Sequence, residues 1–295
     1  MEYLIHLFIL ICFYTMLAQT LNLSAGNTGL ISLAHAGFYG IGAYTTALLS
    51  QHFGFSFWLN LPIAMYICGA IALLVSLIAL RTVEDYFIIC TLGIQVIIFS
   101  VLKNWIAVTN GPLGISNIPT INCFGLDLDT KISFLTIAVL FTGLIWLLLY
   151  NLSKSGFGLT LTAISEDEIY SKSIGKNVYL TKTVAFTISA MLAAIPGTLY
   201  AHYISYIDPS TFKVGESIFI LSIVIIGGMN SLKGSFLAAA FMILLPELLR
   251  FVGMPESIAA NMRQIIYGVI LVALMLSGRN GLTELFRNKD KKQTA

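Results

Sequence analysis

Residues 151–181, NLSKSGFGLTLTAISEDEIYSKSIGKNVYLT, form a long polar connection whose charges are ordered by sign. Ser165 and Glu168 make an S-x-x-E capping box, and Glu166 and Asp167 add negative charge at the positive end of a helix dipole. Lys172 follows Glu168 by four residues in the favourable order, and Lys172 and Lys176 stand near the carbonyl end. Gly175 suits the left-handed position just past a helix. Together these signals predict a helix near 166–174. On its wheel Ile169, Tyr170 and Ile174 fall within an arc of about 140°, opposite Asp167, Glu168 and Lys172. Such a face either docks a partner or packs on the protein's own membrane-facing end, and periodicity leaves both readings open.

Reactive chemistry has no comparable seat. An enzyme needs an acid, base or metal constellation at one depth, and no histidine here has metal-ligand company. Cys12, Cys68, Cys90 and Cys123 show no CxxC or metal spacing and read as small apolar fillers. No G-x-x-x-x-G-K-[ST] phosphate loop occurs; the nearest run, IGKN at 174–177, lacks the upstream glycine and the hydroxyl. The chain is therefore expected to hold no cofactor and to hydrolyse no ATP by itself.

The elements that must position the loop are apolar helices. Of 295 residues, 57% are apolar and 10% charged, against about 25% charged in a soluble domain. A spanning helix needs about 20 mostly apolar residues. Spans are expected near 3–23, 30–50, 57–80, 86–102, 132–150, 182–204, 217–229, 234–251 and 263–278. The fold class is thus all-α: one polytopic helical bundle of about nine spans over 1–295, with 151–181 as a connecting loop and a basic tail at 279–295. The first run is too long for a signal sequence and reads as a retained span. Lys and Arg collect on cytoplasmic loops. A cytoplasmic C-terminus puts eleven basic residues inside and five outside, and nine spans then leave the N-terminus outside.

Within this plan two stretches are irregular. Residues 24–42 carry five glycines and are open to a partly re-entrant reading, tolerable only where protein or a watery path covers the backbone. Ser32, Ala36, Gly40, Ala43 and Ala47 form a small-residue stripe suited to close helix packing. His35, Tyr39, Gly42 and Thr46 form a second, polar facet that either lines a path or bonds a neighbouring helix. Pro196-Gly197 inside an apolar run predicts a kink or break. His6 and His202, at span ends, read as interfacial. Paired ionisable residues, the mark of many secondary transporters, are nearly absent from the expected spans; Glu247 near Arg250 is the main exception.

Four blocks carry a resemblance: LNLSAGNTGLISLAHAGFYGIGAYTTALL (21–49), DYFIICTLG with TNGPLGI (85–93, 109–115), GLTLTAISEDEIYSKSIGKNV (158–178) and GGMNSLKGSFLAAAFMILLPELLR (227–250). In this order and spacing the chain resembles the permease subunits of branched-chain amino acid ABC importers, the M-type of the two paired permeases. The resemblance implies a bacterial inner-membrane subunit importing leucine, isoleucine and valine. It also implies a companion permease, two cytoplasmic ATPase subunits that bind the ATP, and a periplasmic substrate-binding protein. It implies that Glu166, Asp167, Glu168, Ile169, Tyr170, Ile174 and Gly175 dock on an ATPase subunit. His35, Tyr39, Thr46 and Gln95 are the candidate lining of the substrate path. Tyr170, Ser171 and Ser173 depart from the family's usual alanines, Ser165 from a common basic residue, and Gln95 lacks a nearby arginine. A permease for urea or short-chain amides shares the same blocks and is the alternative.

Overall fold

The computed structural model describes residues 2–82, 84–123, 126–127, 130–251 and 268–269. Eleven helices follow one another within them: α1 (Glu2–Thr28), α2 (His35–Phe53), α3 (Phe57–Ala79), α4 (Glu84–Asn104), α5 (Ile106–Thr109), α6 (Lys131–Lys154), α7 (Gly156–Glu166), α8 (Glu168–Ser173), α9 (Val178–Ile204), α10 (Val214–Gly227) and α11 (Leu232–Phe251). Strands are two-residue pairings. β1 (Ile115–Ser116) runs antiparallel to β4 (Tyr206–Ile207), and β2 (Asn122–Cys123) to β3 (Leu126–Asp127).

Among the described residues five helices are long and apolar enough to cross a membrane: Glu2–Thr28, Phe57–Ala79, Asp85–Asn104, Lys131–Lys154 and Val178–Ile204. The expected spans at 30–50, 217–229 and 234–251 correspond to α2, α10 and α11. α2 is diluted by glycine, tyrosine and threonine, and α10 has 14 residues, about 21 Å at 1.5 Å per residue. The expected span at 263–278 and the basic tail at 279–295 lie outside the described residues, Gly268 and Val269 apart.

Side-chain bonds identify the two ends of the bundle. Asn27 donates to Ser153 at 3.4 Å and Tyr179 to the Leu77 carbonyl at 3.1 Å, so the end of α1, the end of α6, the start of α9 and the end of α3 share one end. Lys131 pairs with Glu2 at 2.8 Å, Gln51 bonds the Ser116 carbonyl at 2.5 Å, and Tyr206 bonds the Leu113 carbonyl at 3.1 Å at the other.

α9 is the hub, packing against α1, α2 and α3. In lipid, helices gain little from apolar burial against one another, so close backbone approach matters. A Cβ on Gly197 of α9 would lie 2.3 Å from the Tyr39 carbonyl oxygen of α2, and one on Gly42 would lie 2.7 Å from the Ala194 backbone. The seam on α2 facing α9 therefore runs through Gly42 and Ala43, whereas Gly40, placed in the small-residue stripe, faces Phe212. α9 continues through Pro196 without interruption. Of the expected kink or break, the break is absent, and the proline sits buried beside this crossing. Large apolar side chains such as Tyr66, Leu74 and Ile78 of α3, Ile89 and Ile97 of α4 and Leu140 of α6 face outward, as a lipid-facing surface requires.

The glycine-rich stretch resolves into a long α1, six non-helical residues, 29–34, and a helix that starts at His35. Gly29 at φ +74° makes the turn. Side chains from other helices satisfy the backbone that follows: Thr91 accepts from Leu33 N–H, Ser217 from Ala36 N–H and Gln95 from Gly37 N–H, at 3.1, 3.0 and 2.6 Å. Irregular backbone at membrane depth demands such partners.

Candidate functional site

Among the described residues, a polar connection and a cavity gather the candidate groups. The first is the 151–181 connection. α6 extends into it to Lys154, and α7 fills 156–166, an element the sequence reading left inside the loop. Ser155 caps α7 by accepting from Gly158 N–H at 3.3 Å, and Leu161 and Ile164 are buried. The helix expected at 166–174 is shorter, Glu168–Ser173, and its cap is Asp167 rather than Ser165. Asp167 turns to extended backbone, φ −151°, and its carboxylate accepts from Tyr170 N–H at 2.9 Å. Ser165 is instead the penultimate residue of α7 and donates to the Thr162 carbonyl. Both Ser165 and Asp167 are good caps; α7, running to Glu166, decides between them by occupying Ser165.

α8 ends in a Schellman motif. Lys176 N–H bonds the Ser171 carbonyl at 3.1 Å, Gly175 N–H bonds the Lys172 carbonyl at 3.0 Å, and Gly175 stands at φ +82°. Glu168 is not the return arm of a capping box. Its Oε1 lies 2.7 Å from Lys172 and its Oε2 lies 2.6 Å from Lys182 of α9. Burial raises the Glu168 carboxyl, but the hydrogen bonds from Lys172 and Lys182 outweigh it and hold it below the usual value. Ser171 is buried, while Ile169, Tyr170 and Ile174 are 79%, 64% and 54% exposed. The apolar face thus points away from the protein's own body.

The second place is an open-sided cavity of about 860 Å³ lined by residues of α1, α2, α9, α10 and α11, with Thr211 and Gly268. Leu10, Phe13 and Leu17 of α1, Ile218 and Phe219 of α10 and Met242 of α11 supply apolar walls. Glu216, in the first turn of α10, also lines it, and Tyr14 of α1 donates to Glu216 Oε1 at 2.6 Å. The reading that the spans hold almost no ionisable group missed Glu216, because the expected span began one residue later. Its only sequence signal is an acid three residues after Lys213, at the mouth of an apolar run.

Of the four candidate lining residues, Tyr39 borders this cavity, packed edge-on against Tyr200 and Phe212. The other three are buried fasteners between elements. His35 Nε2 meets Thr20 Oγ1 at 2.9 Å, joining α2 to α1. Thr46 Oγ1 lies 2.9 Å from the Gly42 carbonyl and 3.0 Å from Thr198 Oγ1, sharing its one hydrogen between them and joining α2 to α9. Gln95 accepts from Gly37 N–H and donates to the Phe212 carbonyl at 2.8 Å, clamping α4 to the start of α2 and the 209–212 turn.

The model of the family described as branched-chain amino acid transport system, permease component, matches residues 3–275. The chain is 38% identical over 260 residues to the high-affinity branched-chain amino acid transport system permease protein LivM of Salmonella typhimurium, covering 80% of this chain and 61% of that one. The LivM protein of Escherichia coli K12 gives the same figures. The probable branched-chain amino acid transport permease protein LivH of Methanocaldococcus jannaschii is 25% identical over 294 residues, covering 94% and 90%. The chain spans 61% of the length of the two LivM relatives. No solved structure matches the chain.

Proposed function

The chain belongs to the family of permease components of branched-chain amino acid transport systems, and from that premise we propose that it is the membrane subunit of an ATP-binding-cassette importer for leucine, isoleucine and valine. It is a multi-pass membrane protein of the all-α class, its described part helical apart from two-residue strand pairings. In the proposal about nine spans cross the inner membrane, with the C-terminus cytoplasmic. A companion permease completes the path, two ATPase subunits drive it, and a periplasmic binding protein delivers the substrate. The 38% identity to two LivM proteins carries the substrate assignment.

The coupling element in this reading is α8. A six-residue helix held at both ends by its cap and its Schellman turn presents Ile169, Tyr170 and Ile174 outward. An exposed apolar face with fixed charge behind it suits a groove on a separate subunit. Glu168 joins the back of α8 to Lys182, and so to α9, which packs against α1, α2 and α3. Closure of the ATPase pair on ATP pushes α8, and α9 carries the displacement to the wall of the cavity, where Tyr200 stands. Differential contacts of the ATPases with the two arrangements supply the drive.

The test is import into proteoliposomes holding the reconstituted complex. Leucine accumulation that requires internal ATP and the binding protein supports the reading; accumulation driven without ATP overturns it.

A further inference from the structure

Glu216 is an acid in the wall of an otherwise mostly apolar cavity, and such a group is costly there without a counter-charge. One of its oxygens accepts from Tyr14 at 2.6 Å. Its other oxygen makes no hydrogen bond among the described residues, and no lysine, arginine or histidine lines the cavity among them. A second carboxylate, Glu247, borders the same space. A third polar group is the Tyr39 hydroxyl, on a side chain only 4% exposed that lines the cavity and makes no hydrogen bond among the described residues. The volume, about 860 Å³, lies within the range of about 300–1,000 Å³ typical of small-molecule sites.

Resting on the transport reading above, we propose that this cavity is the intramembrane substrate site and that Glu216 is the counter-ion of the substrate's ammonium group. Tyr14 fixes one carboxylate oxygen and turns the other toward the ligand. Leu10, Phe13, Leu17, Ile218 and Phe219 receive a branched aliphatic side chain. The Tyr39 hydroxyl is the donor for the substrate's carboxylate. A ligand without an ammonium group leaves Glu216 unpaired, and one with a second carboxylate meets Glu216 and Glu247 with like charge. The site therefore selects monocarboxylic α-amino acids with apolar side chains.

The experiment measures equilibrium binding of radiolabelled leucine to the assembled transporter in nanodiscs, without the periplasmic binding protein, beside leucine uptake by cells carrying the same variants. In the wild type, 3-methylbutylamine, which keeps the ammonium, displaces leucine, and 4-methylpentanoate, which lacks it, does not. Glu216→Gln weakens leucine binding by about tenfold or more, the loss expected for a hydrogen bond to a charged group, while Glu216→Asp retains most of it. Failure of the amine to displace leucine from the wild type overturns the site, as does unchanged leucine binding in Glu216→Gln. Wild-type uptake separates the two readings. Leucine import that persists beside either failure overturns the site alone, and absence of leucine import in the wild type overturns the transport reading and the site with it.

Discussion

Lys182 Nζ lies 2.6 Å from Glu168 Oε2, joining the first residue of α8 to the second turn of α9. The Lys182 side chain is 9% exposed and that of Glu168 32%, so this pair is shielded, unlike the outer Lys172 contact. Such a pair resists separation when one element is pushed, which is what a transmitting joint needs.

Lys182→Met is therefore expected to leave assembly with the ATPase subunits intact while lowering leucine import per ATP hydrolysed. In a double-mutant cycle with Glu168→Gln, a coupling energy of about 0.5–3 kcal/mol is expected from contacting residues. Additive effects on stability and transport in the double variant contradict the joint.

The pH response of α8 follows from the same carboxylate. Glu168 sits below its ordinary value of 4.5 when folded, so its contribution is fully present above that value and is lost as pH falls through the lower folded value. A nitroxide on Ser173→Cys should keep constant mobility from neutral pH down to the ordinary carboxylate range and loosen only below it. Glu168→Gln should abolish the acid step. Loosening near neutral pH in the parent contradicts the assignment.

Ile169→Asp with Tyr170→Asp alters only side chains that face outward, so surface stability should change by about 0.5 kcal/mol or less. Co-purification of the ATPase subunits is nevertheless expected to fall at least severalfold. Gly175→Val, at φ +82°, is expected to weaken the same association by straining the α8 terminus by about 1–2 kcal/mol. Undiminished co-purification in both variants removes α8 as the docking element.

Gly197→Leu places a side chain where a Cβ already meets the Tyr39 carbonyl at 2.3 Å. It should destabilise the α2–α9 crossing by about 1–3 kcal/mol or more, read as a lower melting temperature in detergent. Gln95→Leu strands the Phe212 carbonyl and leaves the Gly37 N–H with the Ala34 carbonyl alone, at a cost of about 1–3 kcal/mol for the buried carbonyl. A melting temperature unchanged in both variants contradicts the packing described.

Hydropathy located the long helices because a continuous apolar run admits few alternatives, and α3, at 57–79, matches its expected bounds to within one residue. Four features were not legible for physical reasons. The start of α2 at His35 depends on Thr91, Ser217 and Gln95 arriving from other helices to satisfy the 29–37 backbone, and no local pattern announces that. The cap of α8 was misplaced because Ser165 and Asp167 both suit a cap, and α7 was not recognised. Gln95 and Thr46 read as path-lining because polarity in a span marks either a path or a fastener; only their partners, Gly37, Phe212 and Thr198, tell the two apart. Glu216 was lost to a boundary error of one residue, which carried the one acid facing the cavity from α10 out of the expected span.

The central claim is that this chain carries branched-chain amino acids across a membrane. Its most direct test is uptake of radiolabelled leucine, isoleucine and valine by cells with and without the chain, with urea and glutamate as controls. Loss of branched-chain uptake alone, restored by the wild-type chain, is the predicted result. Unchanged branched-chain uptake, with urea import lost instead, contradicts the substrate while leaving a permease of the same architecture.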